Sequence, residues 1–264
     1  MQIFKIYFFM FFIFLFSLTS VAGQEAKSDQ KNNIKEIKVA WDIIPKYPYL
    51  FYVSKEKQGG YAYDIIQQIF SNQKIKVKNE RYQWYDCFPK LKNQDIDLIP
   101  NASWQKERSE YALYSKPLYT TTQVLFYSKI KYPKPPKINN LQDMKKYKFL
   151  GLKGHNYNFY NNELNIKEKA RSKRHQILSL NARVYDFAIA QKEVILFLEK
   201  INVLDLSKIG WIPDPVKKTK NFHALVNKSH PHANELIKII NEGINELEKN
   251  GQLKDIWKKN SEMH

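Results

Sequence analysis

From about residue 36 the apolar positions repeat with two different periods. Ile37-Lys38-Val39-Ala40-Trp41 reads as a first strand, and Gly59-Gly60 as a turn. From Tyr61 to Phe70 the period lengthens, and Ile65, Ile66, Ile69 and Phe70 share one helical face. Lys74 to Tyr82 returns to strand-like alternation. Phe88 and Leu91 predict a short helix, and Ile96-Asp97-Leu98-Ile99 a further strand. The order strand, helix, strand, helix, strand predicts an α/β layer on a mostly parallel sheet.

Gln123-Val124-Leu125-Phe126-Tyr127 predicts another strand, and Pro133, Pro135 and Pro136 then mark a boundary segment. A second α/β block runs from about Leu141 to Pro215, with strands at Phe149–Leu152 and Phe187–Ala190. Phe222–Val226 is a late strand. Ala233 to Leu247 is an amphipathic helix closed by Asn250-Gly251, and Leu253, Ile256 and Trp257 belong to a last short helix. Residues 24–35 are polar and read as a frayed leader.

The N-terminus changes the picture. Lys5 precedes an apolar run from Ile6 to Phe16, and small residues follow at Ser20-Val21-Ala22-Gly23. A short positive region, an apolar core and a small-residue exit predict a secretory signal peptide over residues 1–22, cleaved after Ala22. The run is shorter than the roughly 20 residues that span a bilayer, although an uncleaved anchor is the alternative reading. No cysteine follows the exit to carry a lipid, so a soluble, periplasmic mature chain of about 240 residues is expected, long enough for two modest lobes. Cys87 is the one cysteine, which excludes an intramolecular disulfide and a cysteine-rich zinc site. Stability must come from packing, to which 17 tyrosines and 16 phenylalanines contribute.

The net charge of +17 admits nucleic acid, a membrane surface or an anionic ligand as partner. Export argues against nucleic acid. The densest basic group, Lys167, Lys169, Arg171, Lys173 and Arg174, reads as a solvated helix face.

The ordered motifs resemble the bacterial extracellular solute-binding proteins of family 3, the polar amino-acid receptors of ABC importers. Trp41-Asp42 and Tyr47-Pro48-Tyr49 are similar to that family's first ligand loop. Gly60-Tyr61-Ala62-Tyr63-Asp64-Ile65 resembles its glycine-aromatic helix start, and Trp84 to Leu91 with Asp95-Ile96-Asp97-Leu98 its aromatic loop, helix and strand. Glu107-Arg108, Tyr111 and Tyr114-Ser115-Lys116-Pro117-Leu118-Tyr119 resemble its Thr-x-Glu-Arg and Phe-Ser-x-Pro-Tyr signature. Gly151-Leu152-Lys153-Gly154, Arg183 to Ile189 and the closing Asn-Gly-x-Leu helix are similar to its second half. The resemblance implies an α/β, two-lobed, type II periplasmic binding protein fold with two crossings, near Phe126-Tyr127 and Lys220–Phe222. Lobe one would hold residues 36–126 and 222–264, and lobe two residues 127–221.

It also implies a site. Arg108 would hold a ligand carboxylate, its planar fork matching two parallel hydrogen bonds; the alternative is a surface arginine paired with Glu107 or Glu110. Asn101 and Ser103 follow a strand, where open α/β sheets bind ligands. Trp84 and Tyr47 or Tyr49 could stack on the solute, or pack in the core. Asp42 could take an ammonium or cap the next turn. His155 and Asn156 lie in the second-lobe glycine loop, where backbone N–H groups could meet the ligand. His155 lacks partner histidines at metal-ligand spacing, and His230-Pro231-His232 reads as a loop, so neither metal nor cofactor is expected.

Two departures stand out. Gln191 occupies the position, five residues after Asp186, where receptors for α-amino acids place an acid for the ammonium; Glu193 is near but out of register. Gln105 replaces the threonine of Thr-x-Glu-Arg. The expected function is a monomeric, non-enzymatic receptor that delivers a carboxylate-bearing solute to the membrane permease of an ABC importer. The alternatives are a dehydratase-like enzyme on the same fold, for which no supported nucleophile-base pair is visible, and a sensing or scaffold module.

Overall fold

The computed structural model describes residues 34–54, 57–153, 155–160 and 163–262. The signal peptide expected over residues 1–22, its expected cleavage point, leader residues 24–33 and Gly154 lie outside the described residues. The chain begins with β1 (Glu36–Asp42), the short pair β2 (Phe51–Tyr52) and β3 (Gln58–Gly59), α1 (Tyr61–Asn72), β4 (Lys76–Tyr82), α2 (Trp84–Lys92), β5 (Ile99–Ala102) and α3 (Lys106–Ser109). A 17-residue strand, β6 (Ala112–Ser128), leads to α4 (Leu141–Met144), β7 (Phe149–Leu152), β8 (Ile166–Ala170), α5 (Lys173–Asn181), β9 (Phe187–Gln191), α6 (Lys192–Lys200) and β10 (Ile209–Pro213). The chain returns through β11 (Thr219–Asn227) and ends in α7 (Ala233–Lys249) and α8 (Gln252–Ser261).

Alternation in β1 buries Ile37, Val39 and Trp41 and leaves Glu36 and Lys38 outside. The buried face of α1 carries Tyr61, Ala62, Ile65, Ile66, Ile69 and Phe70. On α7 the buried residues Leu236, Ile240, Ile244 and Leu247 repeat at helical spacing, and Gly243 lets that helix approach Ile69 of α1. One large apolar cluster joins these faces to Val124, Phe126, Ala188, Val194 and Ile195. A second lies under α2 around Cys87, Leu91, Ile99 and Leu225, and a third holds Leu125, Phe149, Tyr160 and Phe187. Cys87 is buried and donates to the Gln83 carbonyl at 3.6 Å, and burial pushes its thiol up to about 12, so it is packing.

The sheets correct the expectation of mostly parallel strands. β1–β4, β7–β8 and β7–β9 are parallel, but β6 pairs antiparallel with β11, β9 and β10, and β11 antiparallel with β5. The physical reason is β6. It is long enough to pair with β11 up to Thr122 and then, from Gln123, with β9. The strand expected at Ile96–Ile99 is displaced: β5 begins at Ile99, and Leu98 makes a single bridge to Val39. The frayed-leader reading fails at Ile34, which is buried, and at Lys35, whose carbonyl accepts from Lys76 N at 2.9 Å. The basic cluster is not a helix face. Lys167 and Lys169 sit on β8, and Lys173 opens α5.

Several motif acids are structural. Asp186 accepts from Tyr132 Oη at 2.6 Å and Lys148 N at 2.7 Å and pairs with Lys131. Asp97 accepts from Lys38 N and faces His230, and Asp64 accepts from Lys259 and Asn260. Buried Asp214 holds the turn into β11 through Val216 N, Lys217 N and the Tyr160 hydroxyl. Among the described residues no helix is long and apolar enough to cross a membrane.

Gly60 precedes α1 with φ 124°, and a Cβ there would lie 2.4 Å from the Tyr49 carbonyl oxygen. Both facts restrict the position to glycine. Gly60→Ala is expected to cost at least about 1–3 kcal/mol, since backbone must shift to relieve the overlap. Urea unfolding checks this; a midpoint at the wild-type value would show the turn to be compliant.

Candidate functional site

The ends of β1, β5 and β9 and the loop after β7 converge on one cavity of about 80 Å³. Its wall contains Asp42, Trp84, Asn101, Ser103, Arg108, His155, Asn156 and Gln191, eight of the ten residues singled out in the sequence. Ile44, Lys46, Leu50, Lys220 and Phe222 complete it. A larger cavity of about 490 Å³ shares Ser103, Asn156 and Lys220 with it and extends along Trp104, Phe159 and His223.

Arg108 leaves α3 toward this cavity. Its guanidinium carbon lies 3.9 Å from the centre of the Phe88 ring and 5.9 Å from Trp84, and Nη1 donates to the Ser103 carbonyl at 3.1 Å. No acidic side chain of a described residue pairs with it, so the alternative of a surface pair with Glu107 or Glu110 is not what forms. Burial is the main influence lowering its pKa, which leaves it charged at any ordinary pH. A planar cation held on one edge by a ring and a carbonyl can offer its remaining N–H groups to a carboxylate.

Asn101 adopts φ 63° and is 9 % exposed. Asparagine tolerates this left-handed conformation better than most residues, and such strain collects at functional sites. Its Oδ1 and the Oε1 of Gln191, 4 % exposed at the end of β9, have no hydrogen-bond donor among the described residues. Trp84 begins α2 and meets Phe88 edge-on at 4.9 Å. Asn156 Nδ2 donates to the Trp104 carbonyl at 3.3 Å, tying the loop after β7 to the segment after β5.

Asp42 does cap the next turn: Oδ1 accepts from Ile44 N at 3.0 Å. Burial pushes its carboxyl up to about 6. Glu193 is committed elsewhere, both oxygens accepting from Thr122 N at 2.9 and 3.0 Å where β6 changes partners.

Tyr47 and Tyr49 are not in the wall. Tyr49 is 1 % exposed and stacks on Tyr119 at 3.8 Å, which stacks on Phe222 at 4.9 Å. Tyr47 stacks on Phe51 and on Phe197 of α6. Both are drawn away because apolar partners surround their rings, and the aromatic wall they were expected to supply is Trp84 and Phe222.

Sequence reasoning missed Lys46 and Lys220. Lys220 is 8 % exposed, and its Nζ donates to the Asn156 carbonyl at 3.3 Å. Lys46 Nζ lies 3.0 Å from the centre of the Phe222 ring. A signal existed for Lys220 alone: it shares the inward face of β11 with Phe222 and Ala224, where a charge is out of place. His155 stays neutral, its pKa held well below the usual imidazole range by burial and by Lys173, Lys220 and Lys46. His230 and His232 face Asp97 and Glu235.

The model of the bacterial extracellular solute-binding proteins, family 3, matches residues 37–262. Among curated proteins none matches. Among solved structures, a histidine kinase sensor domain with similarity to periplasmic binding proteins is 20% identical, with TM-score 0.68, covering 86% of this chain and 96% of its own. A Streptococcus mutans structure concerned with glutathione import by a cystine ABC importer is 21% identical, with TM-score 0.69 and coverage of 86% and 95%. The glutamate-bound GluR0 ligand-binding core of Nostoc punctiforme is 16% identical, with TM-score 0.66 and coverage of 84% and 98%. These likenesses give the architecture: a two-lobed, type II periplasmic binding protein fold. Through the match over residues 37–262, the chain belongs to the bacterial extracellular solute-binding proteins, family 3.

Proposed function

We infer that the protein is an exported, monomeric receptor that closes around a small polar solute bearing a carboxylate, an amino acid or a relative, and presents it to the permease of an ABC importer. The observation that carries this reading is Arg108, aimed into a cavity walled by both halves of the chain and without an acidic partner among the described residues. The solutes named for similar structures, glutamate, glutathione, arginine and glutamine, all bear a carboxylate and support it. In this reading residues 1–22 are removed on export. Lobe one comprises residues 36–126 and 222–264, lobe two residues 127–221, and the cavity residues Asp42, Trp84, Asn101, Ser103, Arg108, His155, Asn156 and Gln191 contact the solute. No catalytic residue, metal, cofactor or nucleic acid enters. A sensing role on the same cleft is a second reading, favoured by the likeness to a histidine kinase sensor domain. It shares the ligand step and differs in the partner that reads closure.

Thermal shift of the exported protein against amino acids, polyamines and small carboxylates tests the ligand step. A solute at 100 times its Kd adds about 2.7 kcal/mol. At roughly 2–4 °C per kcal/mol for a chain of this size, that is a rise of roughly 5–10 °C. Small-angle scattering with the best solute should show a smaller radius of gyration as the lobes close. No rise with any of these classes, and an unchanged radius, would remove the receptor reading.

A further inference from the structure

The cavity holds more positive charge than one carboxylate needs. Arg108, Lys46 and Lys220 line it, against Asp42 as the one acidic residue in the wall among the described residues. Neither lysine forms an ion pair with a described residue. Lys46 rests on an aromatic face and Lys220 on a single carbonyl. The nearby acids do not neutralise them, because Glu193 is engaged by Thr122 and Asp42 is itself half-buried and partly capped.

Unpaired cations brought together out of water are costly, and a fold keeps them only when something compensates. Arg108 sits with Trp84 and Phe88 on one side of the cavity, and Lys46 and Lys220 share the Phe222 side. Arg108, Lys46 and Lys220 line the same small space.

Building on the receptor reading above, we propose that Lys46 and Lys220 form a second anion subsite, so that the solute carries two acidic groups, one on Arg108 and one on the lysines. Gln191 and Asn101 can accept from an ammonium or a hydroxyl of that solute but bring no charge. The same arrangement governs closure. Without an anion, closing concentrates like charges in a poorly solvated space, and repulsion keeps the cleft open. A solute with two acidic groups removes the repulsion.

The test compares acids with their own monoamides, which keep shape and remove one charge: malonate, succinate, glutarate, L-aspartate and L-glutamate against malonamate, succinamate, glutaramate, L-asparagine and L-glutamine. Calorimetry on the exported protein should show the best-fitting acid binding at least about 30-fold more tightly than its monoamide, the lower bound for losing one partner of a buried charge pair. Lys46→Met and Lys220→Met should each weaken the acid about tenfold or more and leave the monoamide within about threefold. Removing a buried unpaired charge should also raise the melting temperature of the unliganded protein, which loss of a merely structural lysine would lower. A monoamide, neutral or basic amino acid that binds as tightly as any acid overturns the subsite and leaves the receptor reading standing. Equal acid-to-monoamide ratios in wild type and both variants overturn it too, as does failure of every acid to bind.

Discussion

Arg108→Ala loses binding of every carboxylate solute by roughly 30- to 5,000-fold, equivalent to about 2–5 kcal/mol, while the fold persists. The range is that for removing one partner of a desolvated, hydrogen-bonded charge pair. It applies because the Arg108 guanidinium is packed over Phe88, held by the Ser103 carbonyl and lacks a competing acid among the described residues. A solute carboxylate inherits the N–H groups that the Ser103 carbonyl leaves free, and alanine leaves it buried without a donor. Two further variants separate charge from packing. Arg108→Met retains an apolar stem against Phe88 and should lose affinity as severely as alanine. Arg108→Lys should recover part of it, because an ammonium supplies charge without the planar pair of donors. Titration calorimetry with the best solute from the screen, beside a melting curve for each variant, checks the expectation. Wild-type affinity in a folded Arg108→Ala would falsify the role of this residue.

The two-period pattern located β1, α1 and α7 to within a few residues because each buries one face against the main cluster, and β4 and α8 because their apolar residues Val77, Leu253, Ile256 and Trp257 pack against it half-buried. It located β2, β3, β8 and β10 poorly. The first two are pairs of residues, and the second two carry exposed or intermediate side chains at most positions, so burial writes no clear period into them. The length of β6 was also invisible. Only Gln123–Tyr127 of it is strongly apolar, whereas Ala112–Thr122 is held by pairing with β11. The cavity residues were legible where the ordered motifs pointed, at Asp42, Asn101, Ser103, Arg108 and Gln191. The tyrosines misled because aromatic walls and aromatic cores draw on the same side chain, and only packing separates Tyr49, inside a three-ring column, from Trp84 at the cavity. Lys46 left no trace. One lysine between two prolines looks like any of the 43 basic residues until the fold lays it on Phe222.

Affinity for an anionic solute falls as pH rises from 7 to 9, and the sign follows from the groups that line the cavity, Arg108, Lys46, Lys220 and His155 against Asp42, with Lys173 and Glu193 close enough to act on Lys46. In the unliganded protein burial, reinforced by Arg108 and Lys217, lowers Lys220 to about 8, and burial with Lys220 and Lys173 holds Lys46 well below the usual lysine range. An anion placed among them favours their charged forms, so binding above pH 7 takes up protons. Each proton taken up weakens affinity by up to about tenfold per pH unit, which for Lys220 alone amounts to up to about tenfold between pH 7 and 9. Arg108 stays charged throughout, and His155 is neutral across the window. Asp42, raised to about 6, acts on the other side of neutrality: protonating it near pH 5 removes a negative charge from the wall, further favouring a dianion and disfavouring any solute that needs Asp42 for an ammonium. Stability of the unliganded protein runs the opposite way. A lysine lowered from about 10.4 binds fewer protons folded than unfolded between its two pKa values, so this contribution makes the protein more stable as pH rises from 7 to 9. Melting curves across that range, with and without a saturating diacid, should therefore converge: the unliganded temperature climbs while the ligand-induced rise shrinks. A ligand-induced rise that is constant from pH 7 to 9 would mean that the lysines do not face the bound solute.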